Sequence, residues 1–446
     1  MKNSFIISCP IDTYSGYGAR SRDLVKAIIE LDKYEVKILP QRWGATPWGF
    51  IEDHKEWHFL KPYLLEFGKP LPSRPDIWAQ VTIPNEFQPV GQYNIGFTAG
   101  IETTVPNPKW IEGLNRMDLN LVSSNHSKKV FEDINFEIKD QNTQQVQQVI
   151  KLQKPVEVLF EGADLTKYFP DNKPCMIDFD IKESFAYLFV GHWLQGDMGE
   201  DRKNVNLLVK AFYETFKNKK NKPALILKTS SGTSSYMDRD STLDRITQIK
   251  KTVNSKNLPN IYLLHGDFSD EEMNSLYNHS KVKAMVNLTK GEGFGRPLLE
   301  FSLTKKPIIT TGWSGHIDFL KPEFTTLLPG ELKPVHQSVV NDWIIKESSW
   351  FNADHGHIGH HLKNMFENYK EYVDGGKRQA YHSKTNFSWE QMRDKLEELF
   401  ESNIPEIAQQ VQLQLPKLNL PKLKKVGEQA PELPKLKLPK LQKING

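Results

Sequence analysis

The chain has 446 residues, a length that favours two or three domains at about 150 residues each. Hydrophobic residues make up 38% of it and charged residues 25%, a globular composition that excludes collagen-like, mucin-like and wholly disordered chains. The net charge of +3 arises in residues 405–446, so the rest is close to neutral and lacks the strongly basic character of proteins that coat nucleic acid.

Cysteine content and hydropathy indicate the compartment. The two cysteines, Cys9 and Cys175, are too few for a disulfide framework, and neither lies in a spacing typical of zinc sites. The apolar run at 5–9 is shorter than a signal-peptide core, and no run reaches the roughly 18 apolar residues of a membrane span. We therefore expect a soluble, cytoplasmic protein from a reducing compartment.

The first elements predicted along the chain are a strand, a glycine-containing loop, a helix and a second strand. The strands cover 5–9 and 35–39, the loop covers 14–18, and apolar residues recur at helical spacing from Leu24 to Ile29. This order begins a doubly wound α/β domain.

The same alternation continues to about residue 178. Its further predicted strands cover 76–83, 94–98, 119–123 and 156–160. The glutamine-rich stretch 140–148 is interpreted as a surface insertion.

A second series of strands and helices follows. Its predicted strands cover 185–191, 224–229, 261–265, 283–288 and 307–311. Because parallel strands are covered by helices on both faces, five such units indicate a second α/β domain of about 190 residues.

The sequence changes character near its end. A helix rich in Glu and Lys is predicted from about 388 to 402, and the tail then repeats LPKL at Leu415, Leu420, Leu433 and Leu438. Prolines at this frequency favour extended chain, so we expect the tail to be disordered. The predicted segments are 1–178, 179–376, a helical segment over 377–404, and the tail over 405–446.

The most informative stretch is 290–300, KGEGFGRPLLE, which follows a predicted strand and opens a predicted helix. Pro297 suits a first helical turn because its missing N–H would be unpaired there. The glycines let a ligand approach the backbone, and the free amides of Phe294, Gly295 and Arg296 form an anion site with the helix dipole. The loop therefore predicts a site for a diphosphate or a polyhydroxylated ring.

Two carboxylates bracket this loop, Glu292 before the turn and Glu300 inside the helix. Carboxylates accept paired hydrogen bonds from vicinal diols, such as those of a ribose or a hexose. The simpler interpretation, two acids that satisfy a helix entry, is disfavoured because glycines, proline and a strand occur in one block.

This block resembles the EX7E signature of retaining glycosyltransferases with the GT-B fold (family 4-like, glycosyl transferases group 1). Three further stretches resemble that family: 158–164 its IPNGVD segment, 201–204 its phosphate-binding lysine region, and 307–315 its PVIATxxGG stretch. The similarity covers about residues 5–400. It implies two Rossmann-like, doubly wound parallel-sheet α/β domains that face a cleft, with the C-terminal helix packed back on the first domain.

The resemblance also implies roles for the matching residues. Glu300 would hold the ribose hydroxyls of a nucleotide, and Glu292 would contact the donor sugar. The backbone of Gly293, Phe294 and Gly295 would face the sugar or its phosphate.

Two cations, Arg202 and Lys203, would neutralise the departing diphosphate without a metal. His192 stands where the family usually has an arginine, so Arg202 is the expected substitute. The alternative is that Arg202 and Lys203 form a solvated helix entrance.

Further donor-side candidates end two neighbouring strands. Lys228 would assist at the phosphates or only solvate the sheet edge. His265 and Gly266 end the next strand and are expected beside the base.

The first domain supplies candidates for the opposite side of the cleft. The loop residues Ser15, Gly16, Tyr17 and Gly18 would approach the donor diphosphate or the acceptor. Glu102 resembles the WET-type glutamate of one branch of the family and would line the acceptor side.

Two other features are left with open interpretations. Glu86 is a second candidate acid, and both it and Glu102 have the alternative of being surface acids. The histidine run at 354–361 is interpreted as a polar loop and helix start, so no metal site is predicted.

Together these observations predict a nucleotide-sugar-dependent, retaining hexosyltransferase that acts on a hydroxyl of a glycan, lipid or small molecule, without metal or cofactor. The alternatives are a GT-B enzyme acting on nucleic-acid bases, which the near-neutral body disfavours, a nucleotide-sugar epimerase, and a non-catalytic nucleotide-sugar-binding protein. The tail is a candidate contact for a partner or an anionic membrane surface, and its prolines favour the partner.

Overall fold

The computed structural model describes residues 2–71, 73–140, 142–177 and 180–407. The predicted tail lies outside the described residues from 408 onward. No helix in the described part of the chain is long and apolar enough to cross a membrane.

The first part of the chain forms a six-stranded parallel sheet and its helices. In chain order the elements are β1 (Asn3–Cys9), α1 (Gly16–Glu30), β2 (Tyr34–Pro40), α2 (Phe50–Asp53), β3 (Ile77–Val81), β4 (Tyr93–Thr98), α3 (Pro108–Leu114), β5 (Leu119–Val122), α4 (Asn125–Asp133), β6 (Asn135–Lys139), β7 (Val146–Lys151) and β8 (Val156–Val158). The strand order is β2-β1-β3-β4-β5-β8. The order reverses between β1 and β3, which is where doubly wound domains bind ligands.

The second part repeats this architecture. Its elements are β9 (Ala186–Val190), α5 (Val205–Phe216), β10 (Ala224–Lys228), α6 (Tyr236–Lys251), β11 (Ile261–Leu264), α7 (Asp270–Asn278), β12 (Val282–Asn287), α8 (Arg296–Ser302), β13 (Ile308–Thr311), β14 (Thr326–Leu328), β15 (Gly330–Pro334), β16 (Ser349–Ala353), α9 (His355–Glu367), α10 (Tyr369–Asn386) and α11 (Trp389–Asn403). The parallel strands follow the order β11-β10-β9-β12-β13-β14, with the reversal between β9 and β12.

The strands form where the sequence provides short, continuous apolar runs. All five residues of β3 are buried, as expected for a parallel strand covered by helices on both faces. Helix α1 begins at a cap, because the Ser15 hydroxyl accepts a hydrogen bond from the Gly18 amide, and its Leu24 and Ile28 side chains are buried in the core. The predicted fold class, two doubly wound parallel-sheet α/β domains, is confirmed.

Two antiparallel hairpins lie outside the main sheets. The predicted insertion at 140–148 falls on the turn of the β6–β7 hairpin and the start of β7, and Ile138, Val146 and Val149 on this hairpin are exposed. The second hairpin joins β15 to β16.

The C-terminal helix α11 packs on the first sheet. Its Leu396 and Phe400 share one hydrophobic core with Phe5 of β1. Helix α10 instead packs on α8, where Gly376 lies against the backbone of Lys305, so the predicted boundary at residue 376 falls inside α10.

The chain therefore crosses between the two sheets twice, after β8 and after α10. The two crossings are hydrogen-bonded to each other: the Ala163 amide donates to the Phe387 carbonyl at 3.0 Å, and the Trp389 amide donates to the Ala163 carbonyl at 2.8 Å.

Candidate active site

A buried ion pair occupies the loop between β12 and α8. The Glu292 carboxylate is hydrogen-bonded to the ammonium of Lys203, which precedes α5. Arg202 Nη1 lies 3.6 Å from the other Glu292 oxygen and donates to the Gly291 carbonyl at 3.0 Å. The structure thus brings together three of the four residues predicted to be catalytic.

The start of α5 fixes both cations. Asn204 has a left-handed backbone with φ of 55°, and the helix is capped by the preceding Asp201, whose carboxylate accepts from the Val205 amide at 2.8 Å. Between these two constraints Arg202 and Lys203 are directed towards Glu292.

The charge state of Glu292 follows from this arrangement. Burial alone would raise the pKa of its carboxyl group, but the charges of Lys203 and Arg202 outweigh burial and lower the pKa to about 2. Glu292 is therefore ionised at neutral pH.

The fourth predicted residue, Glu102, reaches the cluster from the first domain. Its Oε1 lies 3.6 Å from Arg202 Nη1. The other candidate acid, Glu86, accepts a hydrogen bond from Thr82 within its own domain and is exposed. Of the two candidate acids, Glu102 is the one that joins the cluster.

Glu300 forms a second buried group on α8. Its Oε1 accepts from Arg296 Nε at 2.9 Å, and its Oε2 accepts from the Tyr277 hydroxyl at 3.1 Å. Arg296 also donates to Asp23 of α1 at 2.5 Å, so this group too spans both domains. Burial raises the pKa of Glu300 to about 7.

The loop between the two acids presents backbone to the cleft. The Phe294 side chain is buried in the core, with its ring 4.9 Å from that of Phe319. Gly295, at the cap of α8, has a φ of 99°, a conformation that favours glycine.

The two walls of the cleft are in contact. A Cβ on Gly291 would lie 1.9 Å from the Glu102 carbonyl oxygen, and a Cβ on Gly293 would lie 2.2 Å from that of Ala99. The Ser123 hydroxyl adds a hydrogen bond of 3.3 Å to the Gly293 carbonyl. Glycine is therefore required at both positions for the domains to approach this closely.

Lys228, His265 and Gly266 form a separate group at the carboxyl ends of β10 and β11. The Lys228 ammonium donates to the Gly266 carbonyl at 2.6 Å. His265 Nε2 lies 2.8 Å from a carboxylate oxygen of Asp238 on α6. These contacts hold the two strand ends together. His192 follows β9, the neighbouring strand, and its Nδ1 lies 3.2 Å from the Ser230 hydroxyl.

In the predicted first-domain loop, Ser15 and Tyr17 have structural partners. Ser15 caps α1, and the Tyr17 hydroxyl accepts from the Ala99 amide at 3.1 Å while its ring stacks on Trp43. Gly18 is packed against Thr13. Gly16 is exposed, and a Cβ there would meet no atom within 4 Å.

Sequence reasoning missed Asp23, Arg20 and Glu161. Asp23 and Arg20 are buried on α1 among the apolar residues of that helix, and charged residues on a buried helical face are the signal that was available. Glu161 follows β8 and is also buried.

The described part of the chain contains no group of three His, Cys, Asp or Glu side chains arranged to hold a metal ion. The predicted helix start in the histidine run corresponds to α9, which begins at His355 after the cap residue Asp354.

Comparisons with known proteins give matches in structure alone. No protein-family model matches the sequence. No curated protein matches it either.

Three solved structures illustrate the similarity. HepE of Anabaena, in complex with UDP and glucose, superposes with a TM-score of 0.58 at 12% identity, covering 90% of this chain and 100% of HepE. A glycosyltransferase of Rickettsia africae gives 0.59 at 13% identity over 91% and 99% of the two chains. Sucrose-phosphate synthase of Thermosynechococcus elongatus gives 0.56 at 13% identity over 90% and 99%.

At such low identity the similarity concerns architecture. The matched part amounts to about nine tenths of this chain in each of the three comparisons. The chain therefore has the GT-B fold.

Proposed function

We propose that the protein is a nucleotide-sugar-dependent glycosyltransferase that transfers a hexosyl group to an acceptor hydroxyl with retention of configuration. The observation that carries the proposal is the buried cluster of Lys203, Arg202 and Glu292, which Glu102 completes from the opposite domain. Clustered charges of this kind in a cleft are typical of functional sites.

The cations fit the chemistry of the leaving group. When the bond between the sugar C1 and the diphosphate oxygen breaks, negative charge develops on the diphosphate. Lys203 and Arg202 supply positive charge at fixed positions, so they stabilise this charge without a metal ion. In the free protein both cations contact Glu292, and the donor would share them.

The two glutamates fit the rest of the donor. Glu292, ionised and close to the cations, would accept hydrogen bonds from the transferred sugar. Glu300, deeper on α8, would accept the ribose hydroxyls. With these roles, Glu292 and Glu300 would be the two glutamates of an EX7E motif, and the chain would be related to the family 4-like enzymes.

Retention would follow from attack on the face that the diphosphate leaves. The acceptor oxygen bonds to C1 as the C1–O bond to the diphosphate breaks, and the acceptor proton passes to a diphosphate oxygen. Glu102 lies on the acceptor side and would position that hydroxyl. Domain closure around the site would exclude water.

The matched structures support a nucleotide-sugar donor. HepE was solved with UDP and glucose and also with UDP-glucose, and sucrose-phosphate synthase is named for a sugar-transfer product. These ligands belong to those proteins, and we propose the same class for this chain.

The first test is a screen of nucleoside-diphosphate sugars, with thermal stabilisation and slow donor hydrolysis as readouts. We expect at least one donor to raise the melting temperature and to be hydrolysed, with activity unaffected by EDTA. Stabilisation without hydrolysis or transfer would indicate a binding protein instead.

Variants test the site itself. We expect Lys203→Met to lower turnover at least a hundredfold, because the leaving diphosphate loses a fixed charge worth about 3 kcal/mol. The matched control is Lys210→Met, since Lys210 lies on α5 and pairs with Glu214 at the surface. Equal turnover in the two variants would remove the assignment.

A further inference from the structure

The side chain of Glu161 is largely buried, and its carboxylate has no hydrogen-bond partner among the described residues. Its residue is 8% exposed, and among the described residues it takes part in no hydrogen bond or ion pair. Largely burying a carboxylate to which the chain supplies no hydrogen-bond donor is unfavourable, and donors from a bound ligand would offset that cost.

The backbone around Glu161 is held in place. The Arg20 guanidinium donates to the Leu159 carbonyl at 2.6 Å and to the Phe160 carbonyl at 2.9 Å. On the other side Ala163 is bonded in both directions to the segment that enters α11. The side chain therefore projects from a fixed point between the two domains.

Charges from both walls of the cleft act on Glu161. They come from Arg20 and Asp23 of the first domain and from Arg296 and Glu292 of the second. Burial raises the pKa of Tyr17, and the charges of Glu102 and Glu161 raise it further. Glu161 follows β8 and lies two residues before Ala163, where the chain crosses between the two sheets.

Neither neighbouring arginine is available to Glu161. Arg296 is committed to Asp23 and Glu300, and Arg20 to two backbone carbonyls. Burial raises the pKa of Glu161, as expected for a carboxyl group without donors. The donors that this group lacks are the kind that a polyhydroxylated ligand provides.

We propose that Glu161 accepts hydrogen bonds from the hydroxyls of a sugar bound in the cleft and so selects that sugar. The inference rests on the proposed function. The sugar is either the transferred hexosyl group or a sugar of the acceptor, and the two sources share the same recognition chemistry, a carboxylate facing a diol.

The test compares two probe pairs, UDP-glucose with UDP and GDP-mannose with GDP, by calorimetry on the full chain. If Glu161 holds the transferred sugar, Glu161→Gln lowers the affinity for the sugar nucleotide at least tenfold and changes the affinity for the matching nucleoside diphosphate less than twofold. The matched control is Glu157→Gln, on the same segment but paired with Lys128 near the surface.

If Glu161 holds the acceptor instead, both donor affinities stay unchanged and transfer to a panel of monosaccharide and disaccharide acceptors falls at least tenfold. Unchanged affinities together with unchanged transfer overturn the inference. So does an equal loss for sugar nucleotide and diphosphate, which would indicate a structural role.

Folding is controlled within each variant. The ratio of the two affinities in one protein sample does not depend on the folded fraction, and Glu161→Asn provides a second neutral variant if Glu161→Gln is unstable. If the wild type binds no sugar nucleotide in the full screen, the proposed function itself fails. If the wild type binds donors and the Glu161 variant behaves like it, only the inference about Glu161 fails.

Discussion

Glu300 gives the site a dependence on pH. Its pKa of about 7 means that the carboxyl group is largely protonated at pH 6 and largely ionised at pH 8. In the role that we propose for Glu300, ribose hydroxyls would bind best to the ionised form, because protonation turns one acceptor oxygen of the carboxylate into a donor. We therefore predict that affinity for the donor sugar nucleotide rises about tenfold from pH 6 to pH 8.

Calorimetry of the donor across this range checks the prediction. Glu300→Gln should bind more weakly and show a flat profile. The probe should be the sugar nucleotide, since the terminal phosphate of a free nucleoside diphosphate also titrates near pH 6. A rise of the same size in Glu300→Gln would contradict the assignment.

Among individual residues, the sequence predicts those of the 290–300 motif and the cations that lie next to it in space. Glu292 lies in the loop after β12, and Arg202 and Lys203 lie just before α5, in the connection that follows β9. Both connections begin at the carboxyl ends of neighbouring parallel strands, which meet at one edge of the sheet. The charge of Asp23 on an apolar helical face was a signal in the sequence, but its pairing with Arg296 depends on how the two domains meet. Glu161 could not be predicted, because its position depends on where the chain crosses between the domains.

Helix α11 contributes to the core of the first domain although it is the last described helix. Leu396 is fully buried there. We predict that Leu396→Ala lowers the free energy of unfolding by about 2–5 kcal/mol, because it removes buried methyl groups and leaves a cavity. Chemical denaturation measures this.

The control for that change is Glu398→Ala on the same helix, which removes a surface pair with Lys395. Its cost should stay below about 1 kcal/mol. Equal effects of the two substitutions would mean that α11 does not form part of this core.

The elements that sequence reasoning found share a continuous apolar run or a clear helical period. Two of the strands that it missed are short or exposed: β14 has three residues, and all five residues of β15 are exposed. Such strands form because a partner strand offers hydrogen bonds, and that partner is set by the tertiary fold.

Within residues 2–407, the two sheet domains are in contact across their cleft. We predict that Gly293→Ala lowers turnover at least tenfold, because the added methyl group meets the Ala99 carbonyl and keeps the domains apart. Affinity for the nucleoside diphosphate should change less than threefold, since the proposed nucleotide contacts lie in the second domain.

Steady-state kinetics with binding measurements test this, and small-angle scattering reports the separation of the domains. Gly312→Ala is the control, because its added methyl group makes only ordinary contacts, the nearest at 3.4 Å. Normal turnover in Gly293→Ala would show that the observed closure is not needed for reaction.

The two crossing segments are hydrogen-bonded to each other at Ala163 and at 387–389, and we expect this pairing to restrict how the two domains can move apart. A single connecting segment would let one domain rotate freely about the other. Two segments that are hydrogen-bonded to each other form a hinge. Sliding or twisting of one domain against the other would break these hydrogen bonds, whereas rotation about a single axis would keep them. We expect such a motion to bring Arg202 back to its position beside Glu102 whenever the domains close, so that the proposed reacting groups realign each time.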